Sequence, residues 1–291
     1  MRGCPRPSLT PAIGFMCLGV LCLSVSDACA KWLGDHYSTP QVIFSRTALG
    51  LLLLALIAIG RRGSGLLTTG ALAANIGRGL IATGGAFGFV YGVRSVPLAQ
   101  ATTLIFTVPI IVACLSWPLL RESVSRRHWL AILLGLAGVL IVIRPGVDGL
   151  PPGVLALLGA ALCFALLMMT ASLMPRSEST WTLTFYVMLV PMLASALLLP
   201  WSWATPQSGH LPVFLGIGAS STAGLFLVSQ AFRLGPAALV APFDYLSLIW
   251  ASLMGWVIWA EVPDRWVWIG ALVIIASTLL LTLQGKRPSL P

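Results

Sequence analysis

Apolar residues run along this chain in blocks of about twenty, separated by short stretches that collect the charged and turn-forming positions. A helix needs roughly 20 residues to cross about 30 Å of hydrocarbon. Ten blocks of that order stand at 11–33, 41–60, 72–93, 96–119, 128–143, 152–173, 180–200, 211–232, 236–259 and 265–283. The pattern predicts an all-α integral membrane protein with ten transmembrane helices, five on either side of Pro151-Pro152.

The two halves share landmarks at a fixed offset of 139 positions: Arg94/Arg233, Pro97/Pro236, Trp117/Trp256, Glu122/Glu261, Arg126/Arg265 and Trp129/Trp268. Matches at one offset without insertion mark a duplicated unit, so residues 1–150 and 151–291 read as two five-helix repeats.

Composition agrees: 58% of residues are hydrophobic and 9% charged, against about 25% charged in soluble domains. A net charge of +9 raises nucleic acid as a partner, but the basic residues are thinly spread between apolar runs rather than clustered with aromatics. They are better explained as loop charges. With the N-terminus inside, eleven Lys and Arg fall on the cytoplasmic side and four (Lys31, Arg94, Arg144, Arg265) on the other, so the positive-inside rule predicts that both termini are cytoplasmic. An odd number of helices per repeat then inverts the second repeat relative to the first. Arg2 and Arg6 followed by an apolar run and Ala28-Cys29-Ala30 imitate a signal peptide. Asp27 directly before that site, and the five-helix count, make the stretch helix one instead. Five of the six cysteines sit inside apolar runs without metal-ligand spacing, and neither a disulfide framework nor a metal site is expected.

Val96-Pro97-Leu98-Ala99-Gln100-Ala101, Pro109, Glu122, Trp129-Leu130, Gly135 to Gly138 and Arg144-Pro145 resemble the EamA-type domain of the drug/metabolite transporter superfamily, as do Asp27-Ala28-Cys29-Ala30-Lys31-Trp32 and Phe44-Ser45-Arg46. The resemblance is strongest over 27–145 and weaker over 151–285. It implies a ten-helix exporter or exchanger of small metabolites in a cell membrane, the bacterial inner membrane, with helices one to four and six to nine lining a central site and five and ten peripheral. The second repeat departs from the first, with Leu248, Phe185 and Leu166 at the positions of Pro109, Arg46 and Asp27. Ionisable chemistry is therefore expected mostly in the first half.

Ionisable groups at membrane depth are costly and usually face a cavity or one another. Asp27 and Lys31, four apart on helix one, share a face, and Arg46 enters helix two at similar depth, so the three are expected to form one charged layer. Deeper, Arg78 and Asp244 lie roughly 9 and 12 Å from the cytoplasmic ends of their helices at 1.5 Å per residue, close enough in depth for an ion pair. Pro109 and Pro242 free backbone carbonyls and bend their helices. Phe106, Tyr245 and Trp250 beside them are candidate aromatic walls. Gly84, Gly88 and Gly92 at four-residue spacing permit a close helix crossing. Glu122 and Glu261, placed on opposite sides by inversion, cannot form an acid/base pair and are read as caps or charge partners at the start of helices five and ten.

The expected substrate-binding set is thus Asp27, Lys31, Arg46, Arg78, Phe106, Asp244, Tyr245 and Trp250, with Asp244 and Asp27 as proton-coupling candidates. Their buried charges sum to +1, which fits an amphoteric or mildly anionic cargo such as an amino acid or aromatic metabolite. No HExxH, GxSxG, Walker A or CxxC occurs, so no catalytic residues, no cofactor and no ATP-driven step are expected. A lipid or lipid-linked-sugar flippase of the same superfamily is the alternative, and a membrane-embedded enzyme a more distant one. Expected partners are a small solute, the bilayer and possible coupling protons, with the chain a monomer or weak homodimer.

Overall fold

The computed structural model describes residues 9–60, 69–120, 126–144, 150–175, 178–234 and 240–284. Regular structure among them is entirely helical: α1 (Leu9–His36), α2 (Thr39–Gly60), α3 (Leu72–Ser95), α4 (Leu98–Ile105), α5 (Val108–Leu120), α6 (Arg126–Ile143), α7 (Pro152–Leu173), α8 (Thr180–Ser202), α9 (Leu211–Leu234), α10 (Leu246–Trp259) and α11 (Arg265–Gln284), with 3-10 turns at Ser208–His210 and Ala241–Tyr245. Five stretches are long and apolar enough to cross a membrane, at Thr10–His36, Thr39–Leu56, Pro152–Thr170, Trp181–Ser202 and Ser208–Ala231. Shorter apolar helical stretches cover Leu98–Val112, Trp129–Ile143, Phe243–Trp259 and Arg265–Leu280. Helix is the form such a sequence must take in hydrocarbon, because it satisfies each backbone N–H and C=O within its own segment. α1 runs unbroken through Ala28-Cys29-Ala30.

The fourth apolar block is not one bent helix. It divides at Phe106-Thr107, and Pro109 stands in the first turn of α5 rather than midway along a helix. Proline has no N–H for the carbonyl four residues back, that of Ile105, and its ring crowds it. The chain closes α4 instead with a tighter turn, in which the Thr107 N–H and hydroxyl both donate to the Leu104 carbonyl, at 3.1 and 2.7 Å. The ninth block has its own irregularity, the 3-10 turn Ala241–Tyr245 containing Pro242. Subtracting 139 from Tyr245 gives Phe106. Both repeats therefore interrupt the helix at the same place, although the two prolines occupy different positions.

Packing is reciprocal between the halves. α1 lies on α9 as α3 lies on α7; α2 contacts α9 as α3 contacts α8; and α2 pairs with α8, α4 with α10 and α6 with α11. Small residues set the closest crossings. A Cβ added at Gly88 would lie 2.7 Å from the Ala156 carbonyl, and one at Gly92 2.8 Å from that of Gly153, so the Gly84/Gly88/Gly92 stripe is the face that meets α7. Large apolar side chains fill the interior, among them Leu33, Leu98, Leu104, Ile110, Leu157, Ile217 and Ile274. Leu52, Leu80, Leu133, Leu197 and Leu272 point outward, the arrangement of a protein whose outer solvent is lipid.

Candidate functional site

Asp27 of α1 and Arg46 of α2 meet as an ion pair, with Asp27 Oδ1 3.6 Å from Arg46 Nη1. Asp27 lies nine residues before the end of α1 and Arg46 seven residues after the start of α2, roughly 10–14 Å from that end of the bundle. Both side chains nonetheless remain almost one-third exposed. A charge pair open to its surroundings at such depth belongs beside a polar or water-filled space rather than lipid.

Lys31, one turn further along α1, does not join that layer. It is 3% exposed and donates to Glu261 Oε1 at 2.5 Å and to the Val96 carbonyl at 2.8 Å. The other Glu261 oxygen accepts the Leu98 N–H at 3.0 Å. α4 begins after Pro97, whose side chain cannot cap it, so Glu261 fills that role from the other half of the chain. Its position follows from the end of α10. Ala260 adopts a left-handed conformation (φ 55°), the Ala260 N–H donates to the Trp256 carbonyl and the Glu261 N–H to that of Gly255, both at 3.0 Å. This left-handed cap reverses the chain and directs the carboxylate back across the bundle. Glu261 thus serves α4, not the start of the last helix as its place in the sequence implied. Glu122 lies outside the described residues.

The two helix interruptions meet. Phe106 and Tyr245 pack edge-to-face with ring centroids 5.1 Å apart, so the pair sits where the two repeats touch. Trp250, five residues beyond Tyr245, faces elsewhere: with Phe15, Val228 and Phe243 it packs against a core of Met16, Val20 and Ala231. Its indole N–H is buried without a partner.

Arg78 and Asp244 do not pair. The ion pairs among the described residues are Lys31–Glu261, Arg46–Asp27 and Arg144–Asp264. Equal depth did not mean a shared face, because α3 packs on α7, α8, α1 and α2, whereas the turn carrying Asp244 packs on α1. Arg78 is 7% exposed, with Nε and Nη1 lacking any partner. Asp244 is exposed, and its carbonyl accepts the Ser247 hydroxyl at 2.7 Å.

Two polar clusters went unread in the sequence. At the end of α1, Trp32 stacks on His36 (4.4 Å between centroids), and both rings face His210, at 4.7 and 5.0 Å. The Tyr37 hydroxyl accepts the Gln207 N–H at 3.1 Å and shares a 2.8 Å hydrogen bond with His210 Nδ1. At the other end of the bundle, Glu178 accepts from the Thr69 hydroxyl (2.8 Å), the Gly70 N–H (2.9 Å) and the Asn75 amide (3.2 Å). Each cluster ties a turn of one half to a turn of the other. The only signal for them was the polarity of the loops, which says nothing of partners. Among the described residues, no three His, Cys, Asp or Glu side chains are grouped to hold a metal ion. An apolar groove of about 420 Å³ opens between α10 and α11, lined by Tyr245, Leu246, Ile249, Trp268 and Leu272 among others.

Comparison with known proteins gives this architecture its kinship. The chain is 27% identical over 275 residues to the S-adenosylmethionine uptake transporter of Rickettsia felis, covering 94% of this chain and 93% of the relative. It is 28% identical over 279 residues to the riboflavin transporter of Rhizobium johnstonii, covering 94% and 91%, and 27% identical over 275 residues to the pseudopaline exporter CntI of Pseudomonas aeruginosa, covering 90% and 93%. A solved crystal structure superposes with a TM-score of 0.64 at 18% identity, over 96% of this chain and 98% of its own, and shares the fold. The EamA-like transporter family matches twice, at residues 10–144 and 151–283. The chain belongs to the EamA-like transporter family of the drug/metabolite transporter superfamily, a multi-pass bacterial membrane transporter and not an enzyme.

Proposed function

We propose that the protein is a secondary-active exporter or exchanger of small amphoteric or aromatic metabolites, amino acids foremost, in the bacterial inner membrane. Its ten passes form two inverted repeats, 1–150 and 151–291, with both termini cytoplasmic, and they rock against each other to expose a central site alternately. The observation that carries this reading is the reciprocal packing of each half on the other, with Phe106 and Tyr245 meeting where the two helices are interrupted. Asp27, Arg46, Arg78, Asp244, Phe106 and Tyr245 contribute to the cargo path, and the Lys31–Glu261 pair joins the two halves beside it. Relatives named for uptake and for export share this family, which fits a cycle whose direction is set by gradients. Asp244 or Asp27 carries the coupling proton.

The test is uptake by proteoliposomes of labelled amino acids, nucleobases, vitamins, S-adenosylmethionine and riboflavin, with and without a pH gradient. Asp244→Asn is expected to abolish the response to the gradient while exchange of cargo persists. An unchanged rate and pH dependence in that variant removes Asp244 from the coupling role. The groove between α10 and α11 supports a second reading, a lipid flippase, because it offers an apolar surface at the side of the bundle. Movement of fluorescent lipid without movement of any solute decides for it.

A further inference from the structure

Two imidazoles, one from each half, meet where the α1–α2 turn touches the α8–α9 turn. The His36 and His210 rings lie edge-to-face with centroids 5.0 Å apart, and Trp32 packs on both. His36 Nδ1 is 3.0 Å from the Trp32 carbonyl. A carbonyl only accepts, so Nδ1 holds the hydrogen of the neutral ring and Nε2 is left to take the next proton. On His210 the arrangement is reversed. The Tyr37 hydroxyl accepts the Gln207 N–H at 3.1 Å and has one hydrogen of its own to give, for which His210 Nδ1 at 2.8 Å is the acceptor. A proton arriving at His210 Nδ1 displaces that hydrogen from the contact. His36 is exposed and His210 half-buried, so solvent protons reach both.

The charges around this cluster are committed elsewhere. On α1, Lys31 is paired with Glu261, and Asp35 accepts the Trp259 indole N–H at 3.4 Å, which turns it toward α10. Arg94 of α3 lies against Gly34 and adds positive charge on that side. Before and at the start of α11, Asp264 is paired with Arg144 and Arg265 lies over the Trp266 ring. α2 has no ionisable residue before Arg46, which is paired with Asp27. Residues 203–210 hold none except His210, and α9 none between Leu211 and Ala231. The second half therefore brings no carboxylate to this contact that could neutralise an imidazolium.

Imidazole is the side chain whose charge changes between pH 5 and 8. Two unit charges at the separation of these rings repel enough to shift an equilibrium roughly tenfold at a partly exposed site. Two protons are held more easily once the turns have moved apart, so acid favours separation. The cluster at the other end of the bundle has the opposite chemistry, since the Glu178 carboxylate accepts hydrogen bonds there and stays ionised in mild acid.

From this geometry we propose that the His36–His210 contact is a pH-sensitive clasp. Neutral imidazoles hold the α1–α2 and α8–α9 turns together, and a proton on each drives them apart. The clasp adds a regulatory device to the transport reading above and rests on that reading only in being called a gate of the cargo path. In the orientation proposed there, it opens the outward-facing end when the outside turns acidic.

The experiment uses the full-length protein in detergent, its native cysteines replaced, with Ser38→Cys and Ser202→Cys as a reporter. Their hydroxyls stand 3.3 Å apart across the same seam. Disulfide formation by a metal-free oxidant is followed from about pH 7.5 to about 5.5, the range over which imidazole charges. Acid slows thiol oxidation in every variant, so rates are compared between variants at the same pH. With both histidines present the rate is expected to fall roughly tenfold further than in His36→Gln, His210→Gln or the double variant. The three variants are expected to behave alike, because repulsion needs two charges. His36→Lys, which restores a positive charge at an exposed position, is expected to regain the acid response through His210. The thermal midpoint of the protein without the reporter is expected to fall over the same range and to flatten equally in the three variants. The proposal is overturned if parent and variants share one pH dependence, if the two single variants lose separate and additive shares of the response, or if His36→Lys fails to regain it. Proteoliposome transport of the solutes named above, at equal pH on both faces, separates the two readings. Loosening in acid with no solute crossing leaves the clasp standing and removes the transport reading, whereas a solute that crosses while the reporter shows no loosening does the reverse.

Discussion

At the scale of single residues, the pair that couples most parts of the molecule is Lys31–Glu261. Three connections depend on it: α1 to the turn after α10, α1 to the Val96 carbonyl, and the capping of α4. Removing one partner leaves the other charge partly buried, whereas removing both leaves an uncharged contact. Lys31→Met is therefore expected to destabilise by about 2 kcal/mol, less than for a fully buried pair because Glu261 retains some solvent contact. Lys31→Met with Glu261→Gln is expected to recover part of that loss, read from thermal midpoints in detergent. Additive losses in the double variant would show that the two charges do not interact. Glu178 gives a pH-dependent counterpart outside the membrane-spanning helices. The Thr69 hydroxyl above all holds its carboxyl below the ordinary value of 4.5; desolvation, the next largest effect, opposes it, and the Gly70 N–H, the Asn75 amide and the Ala71 N–H add to the lowering. A depressed folded-state pKa stabilises the protein above the unfolded value, and that contribution is lost as pH falls from about 4.5 through the folded value. Glu178→Gln should flatten the fall in thermal midpoint between about pH 5 and 3, and an equally steep acid limb in the variant would refute the linkage. Neither partner set was visible in the sequence. Lys31 shows only a basic residue in an apolar run, and Asp27, the acid four residues before it, turns out to belong to Arg46.

At the scale of elements, the apolar blocks marked where helices run, because burial of about twenty residues in lipid leaves few other forms. What the pattern could not show is how a block is subdivided. Pro109 signals a disturbance, but whether the helix bends or divides depends on what accepts the displaced hydrogen bonds, here Thr107 closing on Leu104. The glycine stripe of α3 was legible for a physical reason: four-residue spacing lines up backbone against backbone whatever the partner. The partner, α7, was not. This crossing gives a contrast within one helix. Gly88→Val places a Cβ 2.7 Å from the Ala156 carbonyl and is expected to cost about 1–3 kcal/mol by overpacking, or to push α3 and α7 apart. Gly77→Ala meets nothing within 4 Å and is expected to be neutral or to stabilise by up to about 1 kcal/mol through helix propensity. Thermal unfolding of the two purified variants checks both, and equal effects would mean that the crossing does not depend on glycine.

At the scale of the whole molecule, the fixed offset of 139 residues made the duplication readable, while the exchange of partners between halves was not, because register along a chain carries no record of which helix lies beside which. The proposed inversion would have a mechanical consequence. If the halves rock, the contacts that join their turns at one end must separate once in every cycle. His36 and His210 belong to the α1–α2 and α8–α9 turns and have ring centroids 5.0 Å apart. The Gln207 N–H and His210 both bond the Tyr37 hydroxyl in the same cluster. A cysteine pair at 36 and 210 in a cysteine-free background, joined by oxidation or by a short bifunctional thiol reagent, should hold that end shut. Transport by the cross-linked protein is expected to fall at least tenfold, a barrier increase of about 1.4 kcal/mol or more, and reduction of the disulfide should restore it. Binding of cargo by the cross-linked protein in detergent should survive, which separates a locked conformation from a damaged protein. Full transport with the cross-link complete would show that this end stays closed throughout the cycle, and the two halves would then have to exchange access by a motion that leaves the His36–His210 contact intact.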